Sequence, residues 1–262
     1  MGNKLYTSIY VTEDYDKFKK LPANRDAKTA QRIIDSIKKV GYVLSPILVN
    51  EKFEVIDGQN RLLALKEMKL PVHYMIQPGI GIKECRALNI GQSNWTSRQF
   101  LESYAEDGSA DYQRLRDLLL EFGDRVALEG IIYISHPILI PPAGNGNAYR
   151  VIRDGRWQMT EAGYARARKN VGLLLDLGSY ELMRRCEVGA RQWWGAMGYA
   201  VNHPKVNIRN LIDRLKKDPL SIVGCQRISD QLGYFDEAYN KGRTPEHRVY
   251  MKTDLLSGKY LK

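Results

Sequence analysis

The sequence predicts an α+β protein: a small α/β domain over residues 1–95, then a mainly helical, basic domain over 96–262. Three observations lead there. The length of 262 residues exceeds the usual size of one domain, which favours two. Short apolar strands alternate with amphipathic helices within the first 75 or so residues, the pattern of a small α/β layer. After residue 95 the pattern turns helical and the charge balance shifts. Residues 1–95 carry 15 Lys/Arg and 10 Asp/Glu, residues 96–140 carry 4 and 8, and residues 141–262 carry 21 and 12.

In chain order, Tyr6 to Val11 reads as a β-branched strand and Leu21-Pro22-Ala23-Asn24-Arg25 as a loop. A helix follows from Ala27. Its Ala30, Ile33, Ile34 and Ile37 share one face at i, i+3, i+4 and i+7, and Gly41 stops it. Pro46–Val49 and Phe53–Ile56 are strands, Gln59 to Lys69 is a helix, and Pro71 to Ile76 is a strand. Gly79-Ile80-Gly81 is a turn leading out. Thr96-Ser97-Arg98-Gln99 fits a capping box that opens a helix. Tyr112, Leu115, Leu119 and Phe122 mark another, stopped by Gly123. The Pro- and Gly-rich stretch from His136 to Ala148 reads as a loop, with a subdivision near 137–148. Tyr149 to Ile152, with Asp154-Gly155 and Trp157, suggests a small hairpin. Helices are expected over about 160–177, 180–201, 207–217 and 229–240.

Composition narrows the functional classes. No run of about 18 apolar residues exists, as a membrane helix needs, and the first residues lack the apolar core of a secretory signal. Gly2 lacks the Ser or Thr that myristoylation requires, because Tyr6 stands there. Cys85, Cys186 and Cys225 are far apart and form no CxxC pair, so a zinc site or disulfide framework is not expected, and reduced cysteines in a cytoplasmic protein are. No histidines sit at metal-ligand spacing, and no metal site is assigned. The formal charge of +10 favours a polyanionic partner. Of the 21 cations after residue 140, 13 are Arg, whose planar fork grips phosphate.

The chemistry concentrates at Val55-Ile56-Asp57-Gly58-Gln59-Asn60-Arg61-Leu62-Leu63-Ala64. A strand runs into a glycine and a helix begins at once. The first N–H groups of that helix lack internal partners and sit at its positive end, an arrangement that suits phosphate. Arg61 lies on the face of Ala64, Leu65 and Met68, at the mouth of the helix, within reach of an anion. Asp57 can hold a metal, orient Arg61 or act as a base. A carboxylate-based metal site for a nuclease could join Asp57 with Glu13, Asp14 or Glu54, and the spacing selects none of them. The bland alternative is an ordinary Asp-Gly turn.

The order of Asn24-Arg25, the Ile33–Ile37 helix with Gly41, Pro46-Ile47-Leu48-Val49 and Ile56-Asp57-Gly58-Gln59-Asn60-Arg61-Leu62-Leu63-Ala64 resembles the N-terminal domain of ParB-like proteins over roughly residues 5–105. The resemblance implies a ParB/sulfiredoxin-like fold for this part of the chain. It also implies phosphate or nucleotide binding by Asn24, Arg25, Gly58, Gln59, Asn60 and Arg61, a nucleoside triphosphate with Mg²⁺ as the ligand, and Asp57 as the catalytic group if the chain is an enzyme. In partitioning ParB proteins the corresponding box binds the triphosphate of CTP. Gly58, Arg61 and Ala64 match that box, while Gln59, Asn60 and Leu63 replace its Glu and two Arg. A second family box has only an echo in Asn89-Ile90-Gly91-Gln92-Ser93. Sulfiredoxins carry a Cys where Gln59 stands, so sulfinic-acid reduction is excluded for want of a thiolate. Free-serine kinases of this fold share Asp57, Gly58 and Arg61 but have His where Gln59 and Asn60 stand, and amides cannot relay a proton. The Asp-Gly-Gln-Asn-Arg form is most similar to the ParB-like nucleases of phages and mobile elements.

The expected function is nucleic-acid binding, DNA before RNA, with no membrane partner; a homodimer is compatible with it. The alternative is an enzyme of the same fold, a metal-dependent nuclease or a nucleotide-dependent phosphotransferase or NTPase. In the C-terminal half, Arg184, Arg185, Arg191, Arg209, Lys216 and Lys217 are candidate phosphate contacts. Trp193, Trp194, Tyr199, Tyr234, Phe235, Tyr239 and Tyr250 are candidate stacking faces. The alternative reading makes these cations the solvated faces of helices. A helix-turn-helix around Gly123 is a further candidate, although the acidic balance there opposes it.

Overall fold

The structure is a computed structural model and describes residues 8–24, 30–92, 95–140, 148–219, 222 and 224–260. It is a mixed protein, a small α/β region followed by helices, and it divides into two compact units, Met1–Gly108 and Ser109–Lys262.

The first unit holds β1 (Ile9–Thr12), β2 (Lys19–Lys20), α1 (Gln31–Val40), β3 (Ile47–Val49), β4 (Glu54–Asp57), α2 (Gln59–Met68), β5 (Val72–Ile76), α3 (Ile82–Gln92) and α4 (Ser97–Glu106). Its sheet runs in the order β1-β5-β3-β4-β2. β1 is antiparallel to β5, β3 is parallel to β5 and antiparallel to β4, and β2 is parallel to β4. Ile47, Val49, Val55, Leu65, Val72 and Tyr74 form the main core cluster. Ala30, Ile34 and Ala64 join α1 to α2, with Ile33 and Met68 packed against them. The apolar stripe of α1 thus meets a helix rather than solvent, and Gly41 at φ 80° ends it. Asn50 fixes the turn between β3 and β4: its side-chain oxygen accepts from the N–H of Lys52 and Glu54, both at 3.0 Å. Such local amide bonds replace strand pairing at tight turns.

Two elements here were not anticipated. β2 is two lysines at the sheet edge, too short to show alternation. α3 leaves its Leu88 and Ile90 exposed, and is held by Arg86, which is 4% exposed. Arg86 donates from Nε to Ser103 Oγ (3.1 Å), from Nη2 to the Ser103 carbonyl (2.8 Å) and from Nη1 to Asp107 (3.0 Å). Its guanidinium also lies 3.9 Å from the centre of the Tyr104 ring. This clamp binds α3 to α4, and both helices lie in the first compact unit, which runs to Gly108. Arg86→Lys keeps the charge and loses the fork. It is expected to cost the first unit about 2–4 kcal/mol, measurable by urea unfolding.

The second unit holds α5 (Ala110–Phe122), α6 (Leu128–Ser135), α7 (Ala148–Arg153), α8 (Glu161–Asp176), α9 (Ser179–Arg185), α10 (Ala190–Asn202), α11 (Ile208–Lys217), α12 (Ile228–Asn240) and α13 (Met251–Leu256). The residues expected to form a hairpin are helical instead, in α7. Gly155 donates to the Ile152 carbonyl and Arg156 to that of Val151, so Asp154-Gly155 is a left-handed helix stop and not a hairpin turn. The helix expected over 180–201 is two helices, because Glu187 at φ 52° reverses the chain between them. The stretch 141–147, read as a loop, lies outside the described residues.

α6 and α10 form the centre of this unit. A Cβ on Gly198 would lie 2.9 Å from the Tyr133 carbonyl carbon, so the two backbones meet where only glycine fits. Ile131, Ile132, Tyr133 and Ile134 are buried, as are Trp193, Trp194, Tyr199, Phe235 and Tyr239. Two expectations are corrected by this burial. The candidate helix-turn-helix would need α6 on the surface to enter a groove, and five of these aromatic rings are core rather than stacking faces.

α13 is fixed by a buried carboxylate. Asp236 accepts the N–H of Met251 (2.7 Å) and Lys252 (3.0 Å). Burial, reinforced by the Asp254 carboxylate, pushes its pKa up to about 6. A carboxyl raised in the folded state contributes stability that is full below its unfolded pKa and is lost as pH rises through about 6. Asp236→Asn removes that titration. The stability of the wild type relative to this variant is therefore expected to fall by about 2–3 kcal/mol between about pH 4 and about pH 7, checked by urea unfolding of both proteins.

Candidate functional site

β4 ends at Asp57, and α2 starts two residues later at Gln59. Gly58 joins them at φ 94°, ψ 19°, a left-handed conformation in which a side chain is strained. Space forbids one as well: a Cβ would lie 2.7 Å from Ile47 Cγ2 and 3.0 Å from Arg61 Nη1. No side chain caps the helix. The helix ladder begins with the Leu62 N–H on the Gly58 carbonyl (2.8 Å), so the N–H groups of Gln59, Asn60 and Arg61 have no intrahelical partner.

A cleft of about 280 Å³ opens over this turn. Asp57, Gly58, Gln59, Asn60 and Arg61 line it, together with Asn24, Ile33 and Ile56. α3 adds Cys85 and Asn89, and Trp95 completes the wall. Arg61 is half-buried and donates from Nη1 to the Pro46 carbonyl (3.0 Å). That single bond holds the guanidinium at the helix mouth and leaves most of its five donors for a ligand. Asn24 is 4% exposed, and its amide makes one long bond, 3.5 Å, to the Val55 carbonyl. Asn60 Oδ1 is buried without a partner. Asn89 donates to the Cys85 carbonyl at 2.7 Å.

These positions sort the sequence-derived candidates. Asn24, Asp57, Gly58, Gln59, Asn60 and Arg61 lie together in one cleft, and Arg25 lies outside the described residues. Asp57 does not orient Arg61; the Pro46 carbonyl does. The proposed carboxylate partners of Asp57 do not gather around it. Glu54 is engaged by Asn50 Nδ2 at 2.7 Å, and Glu13 and Asp14 follow β1 at the far edge of the sheet. Among the described residues, no group of three or more His, Cys, Asp or Glu side chains converges. Cys85, Asn89 and Trp95 were not anticipated as cleft residues. Cys85 and Asn89 stand at i, i+4 on α3, a pairing that became visible only once α3 was seen to be a helix.

The polar wall of the cleft is amides, backbone N–H groups and one guanidinium, and Asp57 is its carboxylate.

The cationic candidates of the second unit form separate groups. Arg184 and Arg185 end α9 and are exposed. Arg191 is exposed and paired with Glu129 at 3.1 Å. Arg209, Lys216 and Lys217 occupy the exposed face of α11, whose Leu211, Ile212 and Leu215 are buried. Arg185 and Lys216 share a hollow with Asp176 and Glu181, and Lys217 shares another with Asp213, Asp218 and Glu237. The surface there is mixed in charge.

No protein-family model matches the chain, and no curated protein does. Among solved structures, the chain is similar to a Pnob8-like ParB-N domain at 13% identity, with a TM-score of 0.32 and full coverage of both chains. A likeness of that size carries no argument. No described helix is long and apolar enough to cross a membrane.

Proposed function

We propose that the chain binds a phosphate-bearing ligand in the cleft at the β4–α2 turn, as a ParB-like nucleic-acid-binding protein whose partner is DNA. One observation carries this reading. The uncapped start of α2, the guanidinium of Arg61 and the buried amide of Asn24 face one cleft over a glycine that admits no side chain. Backbone N–H groups at a helix start, with an Arg beside them, are an anion site. The exposed cations Arg184, Arg185, Arg209, Lys216 and Lys217 add further phosphate contacts.

A second reading is favoured by Asp57, a carboxylate in the same cleft: a nuclease or a nucleotide-dependent phosphotransferase. Mg²⁺ is commonly held by one or two carboxylates together with the substrate phosphates. Asp57 would therefore hold the ion, which would neutralise phosphate charge, while Arg61 and the N–H groups of 59–61 would fix the phosphate. In that case Asp57→Ala abolishes turnover and spares binding.

The test is thermal unfolding with CTP, ATP, ADP or a short duplex DNA, each with and without Mg²⁺. A ligand of the folded state at about 100 times its Kd stabilises by about 2.7 kcal/mol. At least one of these ligands is expected to raise the Tm, and any shift with DNA should decline steeply with salt. No shift in any arm would refute the reading.

A further inference from the structure

A second groove adjoins the first across Gln59, which lines both. It runs between β2 and α2 and encloses about 340 Å³. β2 is the outermost strand of the sheet, so the groove lies at an edge where an added strand could be accommodated. Its floor is apolar: Val55 from β4, Leu62 and Leu63 from α2, and Phe18. Leu63 is 38% exposed, a large apolar side chain left on the surface. The rim is basic, with Lys19 and Lys20 on the strand side and Lys66 on the helix side. Asp16 is the acidic residue of the lining, and Lys66 holds it at 2.9 Å.

We infer that this groove docks an extended acidic peptide whose apolar side chains enter the floor between β2 and α2. Three features select that occupant. Extended peptides bind beside an edge strand and are read through alternate side chains that enter a pocket. The lysine rim complements carboxylates on the partner and steers its approach. A nucleic acid fits less well, because the floor is largely aliphatic. The groove's aromatic rings are also committed elsewhere: Phe18 packs edge-on against Tyr74, with centroids 5.3 Å apart, and the Tyr15 hydroxyl donates to the Leu70 carbonyl at 2.9 Å.

The test is a selection from a displayed library of random short peptides on the full chain, followed by fluorescence anisotropy with the enriched peptides. Enriched peptides are expected to be acidic with alternating apolar residues. They should bind about tenfold or more weakly to Lys19→Glu/Lys66→Glu and to Leu63→Ala. All three side chains are at the surface, so the variants should fold, and an unchanged circular dichroism spectrum checks this. The inference is overturned by no enrichment, by enrichment of basic peptides, or by affinity unchanged in the variants. Two further outcomes also overturn it: binding of single-stranded DNA, or self-association of the chain, that is lost in the charge-reversed variant. Either would give the groove to a different occupant. The phosphate cleft is tested separately, because neither variant alters Arg61 or Asn24.

Discussion

Arg61→Ala is expected to abolish phosphate binding while leaving the first unit folded. The side chain makes one hydrogen bond within the protein, to the Pro46 carbonyl, and losing it costs about 1 kcal/mol. Toward a phosphate, the same guanidinium can make two charge-assisted bonds of about 1.5–3 kcal/mol each. Their loss weakens affinity about 100-fold or more. Calorimetric titration of the variant with whichever ligand stabilises the wild type, beside a thermal melt without ligand, separates the two effects. Undiminished affinity would show that the phosphate sits elsewhere.

Gly58→Ala is expected to have the largest effect on stability in the first unit. The left-handed backbone costs an alanine about 1–2 kcal/mol. The new methyl would also collide with Ile47 Cγ2 at 2.7 Å, and Ile47 is fully buried in the main core, so little can yield. Overpacking adds about 1–3 kcal/mol. The sum, about 2–5 kcal/mol, lowers the Tm of a unit of this size by about 10–25 °C. Gly79→Ala is the control. Gly79 has a φ of 75° but nothing within 4 Å of the added carbon, so it reports the backbone cost alone. Equal losses in the two variants would show that the contact with Ile47 is not tight. Gly58→Ala should also weaken the ligand, since the methyl crowds Arg61 Nη1.

The parts of the fold that were legible in the sequence are those in which one residue type recurs with a period. Ala30, Ile33, Ile34 and Ile37 repeat at helical spacing, and the packing of α1 on α2 follows from it. The Thr96 capping box is present, with Gln99 N–H bonded to Thr96 Oγ1 and Thr96 N–H bonded to the Gln99 side chain. β2 and α3 carry no such period. β2 is held by pairing with β4, and α3 by its own buried Arg86, whose partners Ser103 and Asp107 lie 17 and 21 residues further on. Val151 and Ile152 favour a strand locally, yet burial of Ala148 and Ile152 on a helical face prevailed. For the cleft, Asp57–Arg61 could be singled out because the strand, glycine and helix are contiguous. That Asn89, Cys85 and Trp95 close over the same turn depends on tertiary packing, which no local pattern encodes.

The free N–H groups of Gln59, Asn60 and Arg61 are expected to receive a phosphate. The most direct test is a backbone amide NMR titration of the isotope-labelled chain with the ligand that stabilises it, and with inorganic phosphate. The amide resonances of these three residues are expected to move together, saturably, and ahead of those elsewhere in the first unit, and the movement is expected to be lost in Arg61→Ala. If the three resonances stay fixed while the ligand shifts amides elsewhere, the phosphate does not bind at the start of α2.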